Sequence, residues 1–192
     1  MIKKLVLAFL ILALPTTAAS CGDDASAPGS ATRANNEADA SFAHGMIPHH
    51  EQALEMTRLA AERSNNPDVL DLAERIEEAQ GPEIEQMKAL LSEWGEPHEA
   101  EGGMEGHDMG GESMPGMMSD EEMAGLETKR GKAFDILFLE MMIRHHQGAI
   151  EMAEEELAEG SSPDATELAA SIKSAQEAEI EEMNSLLEEL RG

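Results

Sequence analysis

Apolar side chains recur alternately four and three positions apart along two long stretches of this chain. In the first, Phe42, Met46, His49, Ala53 and Met56 form the stripe of a packed helix. Ser64-Asn65-Asn66-Pro67 then supplies turn and helix-start chemistry, with the proline suited to a first helical turn. A second helical face follows with Leu72, Ile76, Gln80, Met87, Leu90 and Trp94, and with Glu83 and Ile84 at its margins. The later stretch runs Phe138 to Met152, turns at Gly160-Ser161-Ser162-Pro163, and continues from Ile172 to Leu190. Strand-type alternation is absent from the pattern.

The two stretches are copies. At an offset of 96 residues, the separation of His49 from His145, residues 39–94 fall on 135–190 without a gap. Phe42, Met46, Ile47, His49, His50, Ala53, Glu55 and Met56 match Phe138, Met142, Ile143, His145, His146, Ala149, Glu151 and Met152. Gln80, Glu83, Ile84, Met87 and Leu90 match Gln176, Glu179, Ile180, Met183 and Leu186. A duplicated helical hairpin buries its stripes as an all-α four-helix bundle, here over residues 39–190. Residues 95–119, rich in Met, His and Gly, link the repeats and are expected to be mobile and outside the bundle. Ser119-Asp120-Glu121-Glu122 resembles a capping box and predicts a short helix from there to about Arg130.

The start of the chain reads as an address. Lys3 and Lys4 precede an apolar run from Leu5 to Leu14, too short for a permanent span, and small residues lead to Cys21. That arrangement resembles a lipobox, with Ala18 where leucine is usual. It predicts a lipoprotein signal peptide over residues 1–20 and Cys21 as the lipidated residue, with ordinary secretion and a free thiol as the alternative. Residues 21–38 are small, polar and aperiodic, a flexible tether. The expected location is extracytoplasmic, with the membrane reached through the lipid anchor only.

Charge and composition narrow the function. Across 192 residues, 13 Lys and Arg face 40 Asp and Glu, a formal net charge of −27. Such a surface repels nucleic-acid phosphates and attracts cations. Aromatic residues are 3% of the chain, too few for a base-stacking surface, whereas methionines number 14. The one cysteine excludes cysteine-based zinc and iron–sulfur sites.

The candidate chemistry lies on the stripe. Met46 lies three residues before His49 and four before His50, so all three can share a face, and Met142, His145 and His146 repeat the arrangement. In a pseudo-twofold bundle the two groups should approach each other across the core, with Glu83 and Glu179 at similar depth as further candidate metal ligands. A buried network pairing His49 with Glu83 and His145 with Glu179 would explain one ring per helix, and stays open. The second ring on each helix tilts the reading toward metal. Thioethers and imidazoles without thiolate suit copper, whereas zinc gains little from methionine. The Glu-x-x-His motif of di-iron bundles is absent. In the linker Met104, His107, Met109, Met114, Met117 and Met118 form a second possible metal-capture segment, while Met56, Met87, Met152 and Met183 read as core filler.

The segments Phe42 to Met56 and Phe138 to Met152, each with a Met-Ile-x-His-His core, resemble the paired signatures of the bacterial domain-of-unknown-function family 305. The resemblance implies a ferritin-like four-helix bundle, exported and often found in copper-associated contexts. Carried over by position, its signature falls on Met46, His49, His50, Met142, His145 and His146, and Arg144 stands where the first copy has Pro48. The expected function is copper buffering or chaperoning outside the membrane. A metal-independent structural or interaction module and a metal-dependent redox enzyme are the rivals; enzymatic activity is the less favoured, and no protein partner is indicated.

Overall fold

The computed structural model of the chain describes residues 35–97 and 114–192. Five helices occupy them: α1 (Glu37–Arg63), α2 (Pro67–Trp94), α3 (Asp120–Glu127), α4 (Lys132–Glu159) and α5 (Pro163–Arg191). No strand occurs among the described residues. The four long helices form the bundle, and α3 is the short helix that the Ser119 capping box starts. The signal segment, Cys21 and most of the tether lie outside the described residues, as do Met104, His107 and Met109.

Local chemistry sets each helix end. Asn36 caps α1 and forms a reciprocal box with Asp39, so α1 begins inside the segment read as tether. Asn66 and Ser162 cap α2 and α5, each followed by a proline in the first turn, where its missing N–H leaves nothing unsatisfied. Gly95 ends α2 with φ at 77°, a left-handed conformation that glycine adopts without steric penalty.

Asp39 also closes the far end of the molecule. Its buried carboxylate accepts from the Asn36, Ser161 and Ser162 amides and from the Ser161 hydroxyl, tying the start of α1 to the α4–α5 turn. Burial works to raise this carboxyl, but the Asn36 and Ser162 amides outweigh it and hold it below its ordinary value. Glu156 faces Asp39 from α4. Burial, and then Asp39 itself, pushes Glu156 up to about 8.

Each hairpin pairs its own helices, α1 with α2 and α4 with α5, and the hairpins meet chiefly through α1 against α4. The apolar core falls into two clusters. One joins Ala53, Met56, Val69, Leu72 and Ile76 to Phe134, Phe138, Met142, Met183 and Leu187. The other joins Phe42, Met46, Ile47, Ile84, Met87 and Leu91 to Ala149, Ala165, Ala169 and Ile172. Between them along every long helix lies buried polar matter: His49 and His50 on α1, Gln80 on α2, His145 and His146 on α4, Gln176 on α5. The bundle is thus two apolar blocks separated by a polar layer, with Met46 on one side of it and Met142 on the other.

Candidate metal centre

Adjacent residues on a helix point about 100° apart, so two consecutive buried histidines must serve different neighbours. His49 turns toward α4, where its ring lies 3.8 Å from that of His145, centroid to centroid. His50 turns toward α2 and donates from Nε2 to the Glu83 carboxylate at 2.8 Å. His146 does the same toward α5, donating to Glu179 at 2.7 Å. The pairing expected from sequence is therefore displaced by one residue: His50 and His146 hold the glutamates, while His49 and His145 meet at the hairpin interface. The displacement follows from the interface between α1 and α4, which claims the His49 and His145 faces.

The last residues of the linker depart from the expectation of a mobile segment outside the bundle, while residues 98–113 lie outside the described residues. Residues 114–119 lie as a strap over the histidine layer. His49 Nε2 donates to the Pro115 carbonyl at 3.0 Å, and Gln52 grips the Met118 backbone with both ends of its amide, at 2.8 and 2.9 Å. Met118 is buried against the core, Met114 and Met117 are half-buried, and Arg144 reaches both the Met118 sulfur and Glu122. On α4 the strap fits because position 148 is glycine: a Cβ there would stand 2.0 Å from the Pro115 oxygen. Gly116, with φ at 75°, turns the strap against the Arg144 and His145 carbonyls.

Protonation follows from these contacts. A carbonyl only accepts, so His49 carries its proton on Nε2, and a carboxylate partner places the proton of His50 and His146 there too. That leaves the lone pair of each ring on Nδ1. The Nδ1 atoms of His49, His50, His145 and His146 are all buried without a hydrogen-bond partner, as is His145 Nε2. Burial pushes His49 down to about 3 against the pull of the Pro115 carbonyl, with His50 and His146 adding to the fall. Burial, and next the neighbouring His49, pushes His145 well below its ordinary value. His49 and His145 are therefore neutral in ordinary buffers. The amides of Gln80 and Gln176 are also buried without partners in the same layer.

An unpartnered buried polar atom costs about 1–3 kcal/mol, so a layer of them is expensive unless a ligand satisfies it. Neutral imidazole nitrogens are metal donors, and a carboxylate behind the opposite ring nitrogen fixes the ring and raises its basicity. Glu83 and Glu179 stand in that position on Nε2 of His50 and His146. Among the described residues no group of three or more His, Cys, Asp or Glu is arranged to hold a metal ion. Met46 and Met142, both fully buried one turn before the rings, are the thioethers at hand. The donor set fits a soft cation better than a hard one.

The family profile described as Domain of unknown function (DUF305) matches residues 39–187. Among solved structures, the chain is similar to a Streptomyces coelicolor protein of this domain, described as secreted. The two are 34% identical, with 81% of this chain and 94% of that one covered and a TM-score of 0.72. A fragment with this domain from Deinococcus radiodurans is 35% identical over 80% and 97% of the two chains, with a TM-score of 0.69. CopM in its Cu(I)-bound form is 29% identical over 80% and 98%, with a TM-score of 0.66. CopM has also been solved in Cu(II)-bound and silver-bound forms. No curated protein matches the chain. Among the described residues no helix is long and apolar enough to cross a membrane.

Proposed function

Because the chain belongs to the DUF305 family, we propose that its bundle binds copper, as a buffer or chaperone outside the cytoplasmic membrane. The observation that carries this reading is the polar layer itself: four buried imidazoles, each with Nδ1 unpartnered, between the thioethers of Met46 and Met142. Cu(I) accepts both donor types, and imidazole serves either oxidation state. The similarity to CopM, which binds copper and silver, supports the choice of metal.

The roles divide by position. His49 and His145 bring two rings to the interface between the hairpins, and a cation bound there bridges the two repeats. His50 and His146 present Nδ1 with Glu83 and Glu179 behind them, in the arrangement that orients metal-bound imidazoles. Met46 and Met142 add soft donors at the two margins of the layer. The net charge of −27 concentrates cations around the surface. On this reading Cys21 anchors the protein to the membrane by lipid. A Cys21→Ala variant should leave the membrane fraction for the soluble one, and equal retention would remove the lipid anchor from the proposal.

Competition titrations with Cu(I) and Ag(I) test the site. The wild-type bundle should take up the ion, and His49→Gln/His145→Gln should lose at least a hundredfold in affinity with the helical signal intact. Identical titrations for the two proteins would overturn the reading. A metal-independent module is favoured by one observation, that His50 and His146 already have carboxylate partners. It leaves His145, with neither ring nitrogen partnered, without a role.

A further inference from the structure

The strap brings a second pair of soft donors together at the surface. The sulfurs of Met152 on α4 and Met114 on the strap lie 3.5 and 3.9 Å from where a Cβ would stand on Gly45 of α1. The two thioethers therefore approach one another across a bare Cα, no farther apart than those two distances combined. Both methionines are half-buried, unlike Met87 or Met183, which are sealed in the core. Glycine is the least helix-favouring residue after proline, yet it sits inside α1 here. At the equivalent position of the second repeat stands Met141, buried, and Met56, the counterpart of Met152, is fully buried. In the first repeat the bare Cα leaves this space open, and two sulfurs line it.

The position matters as much as the donors. His49 lies one turn along α1 from Gly45, on the same face. The residue after Met114 is Pro115, whose carbonyl holds the His49 Nε2 proton. The thioether pair and the histidine layer are thus joined by one residue of backbone.

We propose that Met114 and Met152 form a two-thioether landing site for a soft monovalent cation at the mouth of the histidine layer, and that loading it draws the Pro115 carbonyl off His49. The inference rests on the reading of the layer as a copper site, and it adds the route of arrival and a basis for selectivity. Two thioethers select Cu(I) or Ag(I) over Cu(II) and Zn(II), which prefer nitrogen and oxygen donors. The ion then meets the layer through a ring whose other contact has just been released.

Ag(I), stable in air, is the probe, with Cu(II) as the comparison ion, on the chain carrying Met114→Leu/Met152→Leu. Leucine keeps the volume and removes the sulfur. The Ag(I) association rate should fall tenfold or more while Cu(II) affinity stays within twofold and the helical signal is unchanged. Met87→Leu, sealed in the core, should leave Ag(I) uptake as in wild type. Gly45→Leu, which fills the space between the sulfurs, should reproduce the double variant. In ring-labelled protein, the first equivalent of Ag(I) should shift the His49 Nε2 resonance promptly in wild type and at least tenfold more slowly in the double variant. Unchanged Ag(I) kinetics in Met114→Leu/Met152→Leu, or an equal loss for Ag(I) and Cu(II), would overturn the inference. Either result leaves the histidine-layer proposal standing, since that is decided by His49→Gln/His145→Gln; a wild type that takes up no Ag(I) would overturn both.

Discussion

The two repeats carry the same Met, His, Gln and Glu residues, yet they surround them differently. In the first, Pro48 interrupts α1 beside His49 and Pro82 interrupts α2 beside Glu83, each removing a backbone donor at the level of the polar layer. In the second, Arg144 and Ala178 stand at those positions and the ladders run through. Gln52 of the first repeat grips the strap, and its counterpart Gly148 makes room for it. Gly45 leaves a space that Met141 fills on the other side. The result is that His49 has one nitrogen occupied by the strap while His145 has neither. Duplication supplied a symmetric set of donors, and a few substitutions around it let the strap cover the layer on one side.

The largest break in this comparison comes from removing the shared donors. His145→Gln alone should weaken Cu(I) binding more than tenfold while costing the apo protein little stability, because the ring has neither a carboxylate partner nor a bond to the strap. His49→Gln removes the bond to Pro115 as well and should also loosen the strap, seen as faster amide exchange at Met117 and Met118. Equal exchange in both variants would mean that the strap does not depend on His49.

Next come the supporting carboxylates. Glu83→Gln and Glu179→Gln should each lower metal affinity by about 10–100-fold, the effect typical of residues that orient a ligating imidazole. The two losses should be similar, since the His50–Glu83 and His146–Glu179 pairs match in length. Calorimetric titration showing no loss in either would place His50 and His146 outside the site.

The strap can be broken from the symmetric side. Gly148→Ala sets a Cβ against the Pro115 backbone, which cannot yield as a flexible side chain would, and should cost about 1–3 kcal/mol. Gln52→Gly, which gives the first repeat the residue of the second, removes two hydrogen bonds and should cost about 1 kcal/mol for each. Thermal unfolding of the apo protein measures both.

The smallest effects sharpen the electrostatics. His49 titrates at about 3 in the folded protein and near 6.5 when unfolded, so the unfolded chain binds more protons between those values. The His49 contribution to apo stability should therefore be full above pH 6.5 and fall as pH drops below it, by on the order of 1 kcal/mol per pH unit, with His145 adding to the slope in the same direction. Glu156 works with the opposite sign. Its pKa is raised from 4.5 to about 8, so stability is full below 4.5 and declines as pH rises toward 8. Glu156→Gln should raise stability at pH 8 by on the order of 1–2 kcal/mol and leave it unchanged at pH 4. A wild-type profile that does not fall between pH 6.5 and 8 would contradict the Glu156 assignment, and a Glu156→Gln profile that stays flat from pH 6.5 down to 4 would contradict the histidine assignments.

Much of the bundle was legible in the chain, because helices, caps and duplication are local or periodic signals. The spacing of Phe42, Met46, His49, Ala53 and Met56 follows from 3.6 residues per turn, and the matching stripe around His145 follows from the copy. Asn66-Pro67, Ser162-Pro163 and the Ser119 box mark helix starts through hydrogen bonds within three residues. Tertiary packing decided the rest. Which of two adjacent rings meets a glutamate depends on the rotation of α1 against α4, and no spacing within either helix records it. That Met118 is buried, and that Met114 comes up beside Gly45 as Met152 does, depends on a strap that reaches back across 66 residues to Gln52. Its only traces in the sequence are glycines at 45, 116 and 148. A missing side chain leaves no periodicity; its meaning is the backbone or sulfur that takes its place.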